Sequence, residues 1–288
     1  MRTRLLATVV LVACGPSNRD NPATDAPSQP DAPPVIPDGP AVDNSRVYAH
    51  SGRTLYRMNN LTLKEAEIGP ITGLQGNQSL TDLAIDKDDR MVGITLNRLY
   101  SIDANTGAAT LIKNLDASNL TSLSYVPRTL GDPNSEEILV SVNSFGDVLE
   151  IDPVTGTTKV IGNYGMHKGK QVRSSGDLFA VHGLGVYASV EVGDVPGNDF
   201  LAKVEPANGW KATPVSALQG GPDVDTGYDR IFGLGFWSGI IYGFVDQGAG
   251  GGGTMIQIDI NTGVAIELST SSVRWFGAGV ATNAPIVQ

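Results

Sequence analysis

The sequence has 288 residues, of which 41% are hydrophobic and 17% charged, and its formal net charge is −10. So acidic a chain has no basic stripe that could neutralise phosphates, which excludes nucleic acid as a partner. A single cysteine excludes an internal disulfide, and the three histidines lie too far apart for a structural zinc site.

Residues 1–14 have the pattern of a secretory signal peptide. Arg2 and Arg4 precede an apolar run over residues 5–13 that is too short to span a bilayer as a helix. The run ends in Leu-Val-Ala-Cys-Gly at Cys14, which resembles the lipobox of bacterial lipoproteins. This resemblance implies cleavage before Cys14 and membrane attachment through lipid chains on that cysteine. The alternative is an ordinary signal peptide that contains a cysteine.

The residue after the cysteine and the segment that follows it bear on localisation. Gly15 stands where some bacteria use aspartate to hold lipoproteins at the inner membrane, so the resemblance implies the cell envelope and favours the outer membrane. Residues 15–45 contain eight of the 17 prolines and five aspartates. Such a segment cannot bury enough apolar surface to order itself, so we predict a disordered tether.

One motif recurs through residues 46–288, the remaining domain. It is LYSIDANTGAATLI at residues 99–112, and it returns from Val148 and Met255, with diverged copies from Leu55 and Leu201. Apolar residues alternate, a polar turn follows, and a second apolar run completes a β-hairpin. The turn starts with an acid or amide whose side chain is expected to accept a backbone N–H: Asn59, Asp103, Asp152, Glu205 and Asp259. Four copies place glycine four residues later, at Gly107, Gly156, Gly209 and Gly263, and the first has Leu63.

The spacing of the copies predicts the architecture. Successive hairpins are 44, 49, 53 and 54 residues apart, which is typical of propeller blades, and two further strands lie between successive hairpins. The first hairpin lacks an inner strand, and the last inner strand, from Phe276, has no hairpin after it. We therefore predict an all-β, five-bladed β-propeller of four-stranded antiparallel blades, whose C-terminal strand joins the N-terminal blade and closes the ring.

The segments DLAIDKDDRMVGIT and LYSIDANTGAATLI resemble the repeats of bacterial quinoprotein-like and related secreted propellers. Those families include dehydrogenases, assembly scaffolds and proteins without known activity. The sequence shows neither a pyrroloquinoline-quinone site nor the tryptophan-bearing docking motif of the dehydrogenases. The resemblance therefore implies the fold, and no cofactor is expected from it.

Alignment of the inner strands predicts which side chains face the propeller axis. One row holds Asp82, Ser122, Asp177, Gly233 and Gly277, and the next holds Ala84, Ser124, Phe179, Gly235 and Gly279. Asp82 and Asp177 could form the carboxylate pair of a glycoside hydrolase. The alternative, which we prefer, is that they bond neighbouring backbone N–H groups.

The loops divide between two faces of the predicted ring. Hairpin turns and inner-to-second connections, such as residues 86–90 and 127–136, share one face. The other face, called here the long-loop face, carries residues 162–174, 216–230 and 245–253. Long loops on a rigid scaffold commonly bind ligands. The candidate ligand-binding residues there are Tyr164, His167, Lys168, Lys170, Arg173 and Tyr228, and solvated loop charges are the alternative.

Three aspartates on this face have the alternating spacing of a calcium loop. They are Asp223, Asp225 and Asp229, but no bidentate glutamate follows them. A plain acidic turn is the alternative. No other metal or cofactor is expected.

The sequence favours a membrane-anchored, cell-envelope binding or scaffold module for a protein or small ligand. The alternatives are a secreted carbohydrate-active hydrolase that uses Asp82 and Asp177, and a structural part of an envelope assembly.

Overall fold

The computed structural model of the protein describes residues 45–194, 197–216 and 221–286. The signal peptide, Cys14 and the tether up to residue 44 lie outside the described residues. Within the described ranges, we found no helix with the length and apolar character needed to cross a membrane.

Short strands make up almost all of the regular structure, as the alternating apolar pattern predicts. Blades 1 to 3 contain β1 (Val47–His50), β2 (Thr54–Asn59), β3 (Lys64–Pro70), β4 (Asp82–Ile85), β5 (Met91–Ile94), β6 (Arg98–Ile102), β7 (Ala109–Asn114), β8 (Leu120–Pro127), β9 (Glu137–Asn143), β10 (Asp147–Ile151) and β11 (Thr158–Asn163). Blades 4 and 5 and the closing strand contain β12 (Met166–His167), β13 (Lys170–Val181), β14 (Gly185–Val192), β15 (Phe200–Glu205), β16 (Lys211–Pro214), β17 (Ile231–Trp237), β18 (Ile240–Asp246), β19 (Gly253–Ile258), β20 (Ala265–Ser271) and β21 (Gly277–Val280).

These strands form five antiparallel sheets arranged as a five-bladed propeller, which confirms the predicted fold class. Blades 2, 3 and 5 each hold four strands that are consecutive in sequence. Blade 4 carries β12 as an additional, fifth strand, since Met166 pairs with Gln171. The sequence did not predict this addition.

The ring closes through the two ends of the domain, as predicted. Strand β21 pairs antiparallel with β1, in a register that runs from Val47 opposite Val280 to His50 opposite Gly277. Blade 1 therefore combines one C-terminal strand with three N-terminal strands. Closure of this kind pairs a strand edge that would otherwise be open.

The recurring hairpin turn has the predicted hydrogen bonds. In the copy at Asp103, Oδ1 accepts from the backbone N–H groups of Asn105 at 2.8 Å and Thr106 at 3.2 Å. Gly107 then adopts a φ of 76°, which a residue with a Cβ rarely tolerates. The same pair of bonds forms at Asn59, Asp152 and Asp259. The Glu205 copy instead makes a 3₁₀ turn, Pro206–Asn208.

One predicted loop is much shorter in the structure. Strand β13 begins at Lys170, whereas the inner strand of this blade was expected from Gly176 and residues 162–174 were assigned to a loop. Pairing of Val172 with Val192 and of Ser174 with Val190 extends the blade toward the long-loop face.

The apolar core lies between neighbouring blades. The column Leu83, Leu123, Leu178, Leu234 and Ala278 is at most 1% exposed. Between blades 5 and 1, Trp275 packs edge-on against Tyr56 and Phe244, with ring centroids 5.3 and 5.4 Å away. Edge-to-face pairs of this kind add to the stabilisation from buried area.

The C-terminal residues after β21 cover one end of the propeller axis. His182 donates its backbone N–H to the Thr282 carbonyl at 2.8 Å, and Ser238 donates to Pro285 at 2.8 Å. The Asn283 amide donates to the Lys87 carbonyl at 2.9 Å, and the Thr282 hydroxyl bonds the Glu137 carboxylate. Residues 282–285 thus contact the inner-to-second connections of four blades. A segment this short can reach all four only by lying over the axis.

Candidate functional site

A cavity of about 370 Å³ opens at the other end of the axis, where the inner strands begin. We call it the axial pocket. All five blades contribute to it, through the residues Leu80, Thr81, Leu96, Asn119, Leu120, Thr121, Ser144, Ser175, Gly176, Phe232 and Phe276. Because the C-terminal residues cover the opposite end, the pocket has a single mouth, on the long-loop face.

Irregular strand register places several of these residues. The pairing of three inner strands shifts between Leu120 and Ser122, between Ser174 and Leu178, and between Ile231 and Gly233. A β-bulge leaves a residue unpaired and re-aims its side chain. The residues within the shifts include Thr121, Ser175 and Phe232, all of which line the pocket.

The exposed surface of the pocket is mainly apolar and carries no charge. Two threonine hydroxyls at its wall already donate hydrogen bonds to the backbone. Thr81 donates to the Ile94 carbonyl at 3.2 Å, and Thr121 donates to the Val142 carbonyl at 3.0 Å. None of the described residues that line the pocket is ionisable. The pocket is therefore suited to an apolar group rather than to acid–base chemistry.

A charged cluster adjoins the aromatic residues of the pocket. The Arg274 guanidinium lies 5.3 Å from the centroid of the Phe276 ring and makes two bonds of 2.7 Å to the Asp246 carboxylate. Arg230 donates twice to the Asp246 carbonyl, at 3.0 and 2.6 Å. Gly248 lies against this side chain, because a Cβ there would be 2.6 Å from Arg230 Nη2. Burial raises the pKa of Asp246, but the bonds from Arg274 and the Gly248 N–H outweigh it and lower the pKa overall.

Asp82 and Asp177 lie immediately beyond the pocket residues on their strands, and both are completely buried. Their carboxyl oxygens accept four backbone N–H groups at 2.6–2.8 Å, those of Leu83, Leu123, Leu178 and Leu234. Each carboxyl therefore links its own strand to the next blade. Burial raises the pKa of both groups well above the usual range, and the neighbouring Asp177 carboxyl raises that of Asp82 further.

Close packing of the inner strands closes the polar channel that the alignment predicted. A Cβ on Gly277 would lie 2.5 Å from both Asp82 Oδ1 and His50 Nε2, and one on Gly233 would lie 2.7 Å from the Ala278 Cβ. His50 is also fully buried, and its Nδ1 lies 2.7 Å from the Ser51 carbonyl. Burial lowers the pKa of His50 to about 4, so its ring is neutral near pH 7.

Tyr164, a predicted ligand-binding residue, is buried. Its side chain is 0% exposed and packs in the core shared by blades 3 and 4. The backbone holds it there, because Tyr164 donates to the Gly146 carbonyl at 2.8 Å and accepts from the Ala212 N–H at 3.1 Å. Sequence reasoning failed here because Tyr164 lies in a connection between strands that is itself buried.

The basic candidates lie on the long-loop face, and three of them are paired with aspartates. Asp223 Oδ1 lies 2.8 Å from His167 Nε2 and accepts from Lys168 at 3.0 Å. Arg173 donates to Asp194 at 2.5 Å. The candidates not in these pairs are Lys170, which is exposed, and Tyr228, which is partly buried against the core of blade 5. All of them lie outside the lining of the axial pocket.

The three aspartates of the calcium-like sequence do not converge. Asp223 pairs with the basic side chains, and Asp225 accepts from the Gly227 N–H at 2.9 Å and the Asn198 amide at 3.1 Å. Across the described ranges no three His, Cys, Asp or Glu side chains are placed to hold a metal ion. The geometry is that of an acidic turn.

Asp199 is a buried acid that sequence reasoning missed. Its Oδ2 accepts from the Ile231 N–H at 2.8 Å, and its carbonyl accepts from the N–H and hydroxyl of Thr226 at 2.9 and 2.8 Å. These bonds fix the segment that leads to Phe232. Burial raises the pKa of Asp199 to about 7, against the lowering effect of the Ser175 hydroxyl and the Ile231 N–H.

The axial pocket opens on the long-loop face, but none of the ligand-binding residues predicted from the sequence lines it. Phe232 and Phe276 start the corresponding segments FGLGFW and FGAGVA, in which each phenylalanine precedes a glycine of the axial row. This repeated Phe-Gly pair was the available signal. No signal marked Leu96, which stands in a short connection.

No family model and no curated protein matches this chain. Among solved structures, a chain of the nidogen/laminin complex is similar with a TM-score of 0.52 at 12% identity, over 83% of this chain and 98% of that one. TolB from Acinetobacter baumannii gives 0.45 at 14% identity, over 82% of this chain and 55% of its own. BamB from Moraxella catarrhalis gives 0.35 at 15% identity, over 82% and 61%. The similarity to the nidogen/laminin chain supports the propeller fold alone.

Proposed function

We propose that this protein is a binding or scaffold module of the cell envelope, and that its axial pocket receives an apolar group of a protein or small ligand. The observation that carries the proposal is the pocket itself. All five blades form it, one end of the axis is covered, and the described residues that line it are uncharged. A rigid apolar cavity with one mouth binds a ligand with little reorganisation.

The burial of the central carboxyls argues against the hydrolase alternative. Glycoside hydrolysis requires two carboxyl groups that reach the sugar and the attacking water. Asp82 and Asp177 are 0% exposed, and their oxygens are occupied by backbone N–H groups of adjacent blades. Binding therefore explains the pocket better than catalysis does.

The start of the domain lies on the face opposite the pocket. Arg46 bonds Asp89 at 2.7 Å and also bonds Asn283, and both partners belong to the face of the inner-to-second connections. In our proposal, acylated Cys14 anchors the chain to a membrane, and residues 15–45 connect this anchor to the domain.

The anchor is tested by mass spectrometry of the native protein and by fractionation. We expect fatty acyl mass on an N-terminal Cys14, and Cys14→Ser should move the protein from the membrane to the soluble fraction. An unmodified thiol or an intact Met1 would contradict the anchor and leave the pocket proposal standing.

The pocket is tested by blocking its mouth. Ser144 is an exposed lining residue, so Ser144→Trp should fill the opening without disturbing the core. Asn134→Trp is the matched control, since Asn134 is equally exposed on the opposite face. Each protein is used to capture components from the envelope fraction of the cells that make it, followed by proteomic and small-molecule mass spectrometry.

We expect the wild type and Asn134→Trp to retain the same component and Ser144→Trp to lose it, with equal melting temperatures for all three. Retention by Ser144→Trp, or loss by Asn134→Trp, would place the binding site elsewhere and contradict the proposal.

A further inference from the structure

Two guanidinium groups share one carboxylate next to Phe276, which lines the axial pocket. The side chains of Arg230 and Arg274 are each 39% exposed, whereas that of Asp246 is 2% exposed. Arg274 bonds both carboxylate oxygens, and Arg230 reaches the carbonyl of the same residue, with its Nη2 3.5 Å from Oδ2. The cluster has one more positive charge than negative, in a chain whose net charge is −10.

Both arginines keep donor capacity. The bonds to Asp246 use Nε and Nη2 of each side chain. Among the described residues, the Nη1 group of neither arginine has a hydrogen-bond acceptor. A planar guanidinium with free N–H groups is suited to a carboxylate or similar anion.

The cluster adjoins the apolar wall of the pocket. Arg274 covers one face of the Phe276 ring at 5.3 Å, and the carbonyl of Arg230 accepts the Phe232 N–H at 3.0 Å. Both phenylalanines line the pocket. An apolar group bound against these rings would therefore bring an attached anion near the guanidinium pair. The basic residues around Lys168 lie outside the pocket lining, and Asp223 and Asp194 pair with Lys168 and Arg173.

We infer that the axial pocket binds an apolar ligand that carries an anionic group. The pocket receives the apolar part, and Arg230 and Arg274 bind the anion. This inference rests on the proposed function and adds the chemical class of the ligand.

Two dyes that differ by one anionic group test this inference. 1-Anilinonaphthalene-8-sulfonate carries a sulfonate, and N-phenyl-1-naphthylamine has the same aromatic framework without it. Fluorescence titration of the full chain gives a Kd for each dye. We expect the sulfonate dye to bind about tenfold more tightly, as one charge-assisted hydrogen bond can provide, and this advantage to shrink at high salt.

Arg230→Gln is the principal variant, because it removes the excess charge and keeps the Arg274–Asp246 pair. It should reduce the preference for the sulfonate dye to within about twofold, while the Kd of the neutral dye stays the same. Arg274→Gln is a second variant, and it should reduce the preference for the sulfonate dye to the same extent. Arg128→Gln is the matched control, since Arg128 is an exposed, carboxylate-paired arginine on the opposite face. A melting curve recorded for each variant checks that it does not bind dye through partial unfolding.

The outcomes separate this inference from the proposed function. Equal affinities for the two dyes, or a full preference in Arg230→Gln, overturn the anion site. If both dyes bind equally and Ser144→Trp blocks them, the pocket proposal survives alone. If neither dye binds, or Ser144→Trp changes nothing, both proposals fail.

Discussion

At the scale of single residues, the buried acids are structural parts of the propeller. Asp82 joins two blades through the N–H groups of Leu83 and Leu123. An amide in its place offers only one acceptor oxygen, so one of these buried N–H groups would face another donor. An unsatisfied buried group of this kind costs about 1–3 kcal/mol.

Asp82→Asn should therefore lower the free energy of unfolding by about 1–3 kcal/mol in chemical denaturation. Asp103→Asn is the matched control and should change it by less than about 0.5 kcal/mol. Asn59 already makes the same turn bonds in the first hairpin, which shows that an amide suffices there. An Asp82→Asn protein as stable as the wild type would mean that the carboxyl is not a link between blades.

Asp199 gives the protein a pH-dependent stability. Burial raises its folded pKa to about 7, from 3.8 in an unperturbed aspartate. Between these values the unfolded chain has released a proton that the folded protein retains, so the contribution of Asp199 to stability falls as the pH rises from about 4 to 7. His50, whose folded pKa is about 4, titrates in the opposite sense in this range.

The comparison with Asp199→Asn isolates this effect, because His50 is the same in both proteins. The free energy of unfolding of the wild type relative to Asp199→Asn should fall by on the order of 3 kcal/mol between pH 4 and pH 8. The amide oxygen of the substituted side chain can still accept the Ile231 N–H. A difference that stays constant with pH would show that Asp199 is ionised in the folded protein throughout.

At the scale of elements, local chemistry explains which predictions succeeded. The hairpins were predictable because the Asp–Gly turn and the alternating strands are both encoded within about 14 residues. The start of β13 was not, because its residues 170–174 become a strand only through pairing with β14. The axial pocket was not predictable at residue level, since it depends on three bulges and on contacts among all five blades.

The C-terminal segment contains two elements with separable roles. Strand β21 closes blade 1, and residues 282–286 cover the axis. Deletion of residues 275–288 removes β21 and the core residue Trp275, so it should abolish the cooperative thermal transition. Deletion of residues 282–288 keeps the closing strand and should lower the melting temperature by about 5–10 °C while the transition stays cooperative.

Differential scanning calorimetry of both truncations and of the full domain distinguishes these roles. A full transition without residues 275–288 would contradict closure by β21. A melting temperature unaffected by loss of residues 282–288 would contradict the role of the C-terminal residues at the axis.

At the scale of the whole molecule, the ring combines a sealed centre with one open end. Glycines at the axial row bring the inner strands into contact, and the buried carboxyls of Asp82 and Asp177 lie within that contact. In our proposal, function is therefore concentrated at the long-loop face, where the axial pocket and the arginine cluster adjoin. The opposite face carries the short turns and the C-terminal residues.

The most direct test of this account is to locate a bound apolar probe. Leucine methyl groups report on both faces: Leu80, Leu96 and Leu120 line the pocket, whereas Leu130 and Leu184 lie in connections of the opposite face. Methyl NMR spectra of the leucine-labelled protein are recorded during titration with N-phenyl-1-naphthylamine. The account predicts saturable shifts at the three pocket leucines and none at Leu130 and Leu184. Shifts confined to Leu130 and Leu184, or no saturable shift at any of the five, would contradict it.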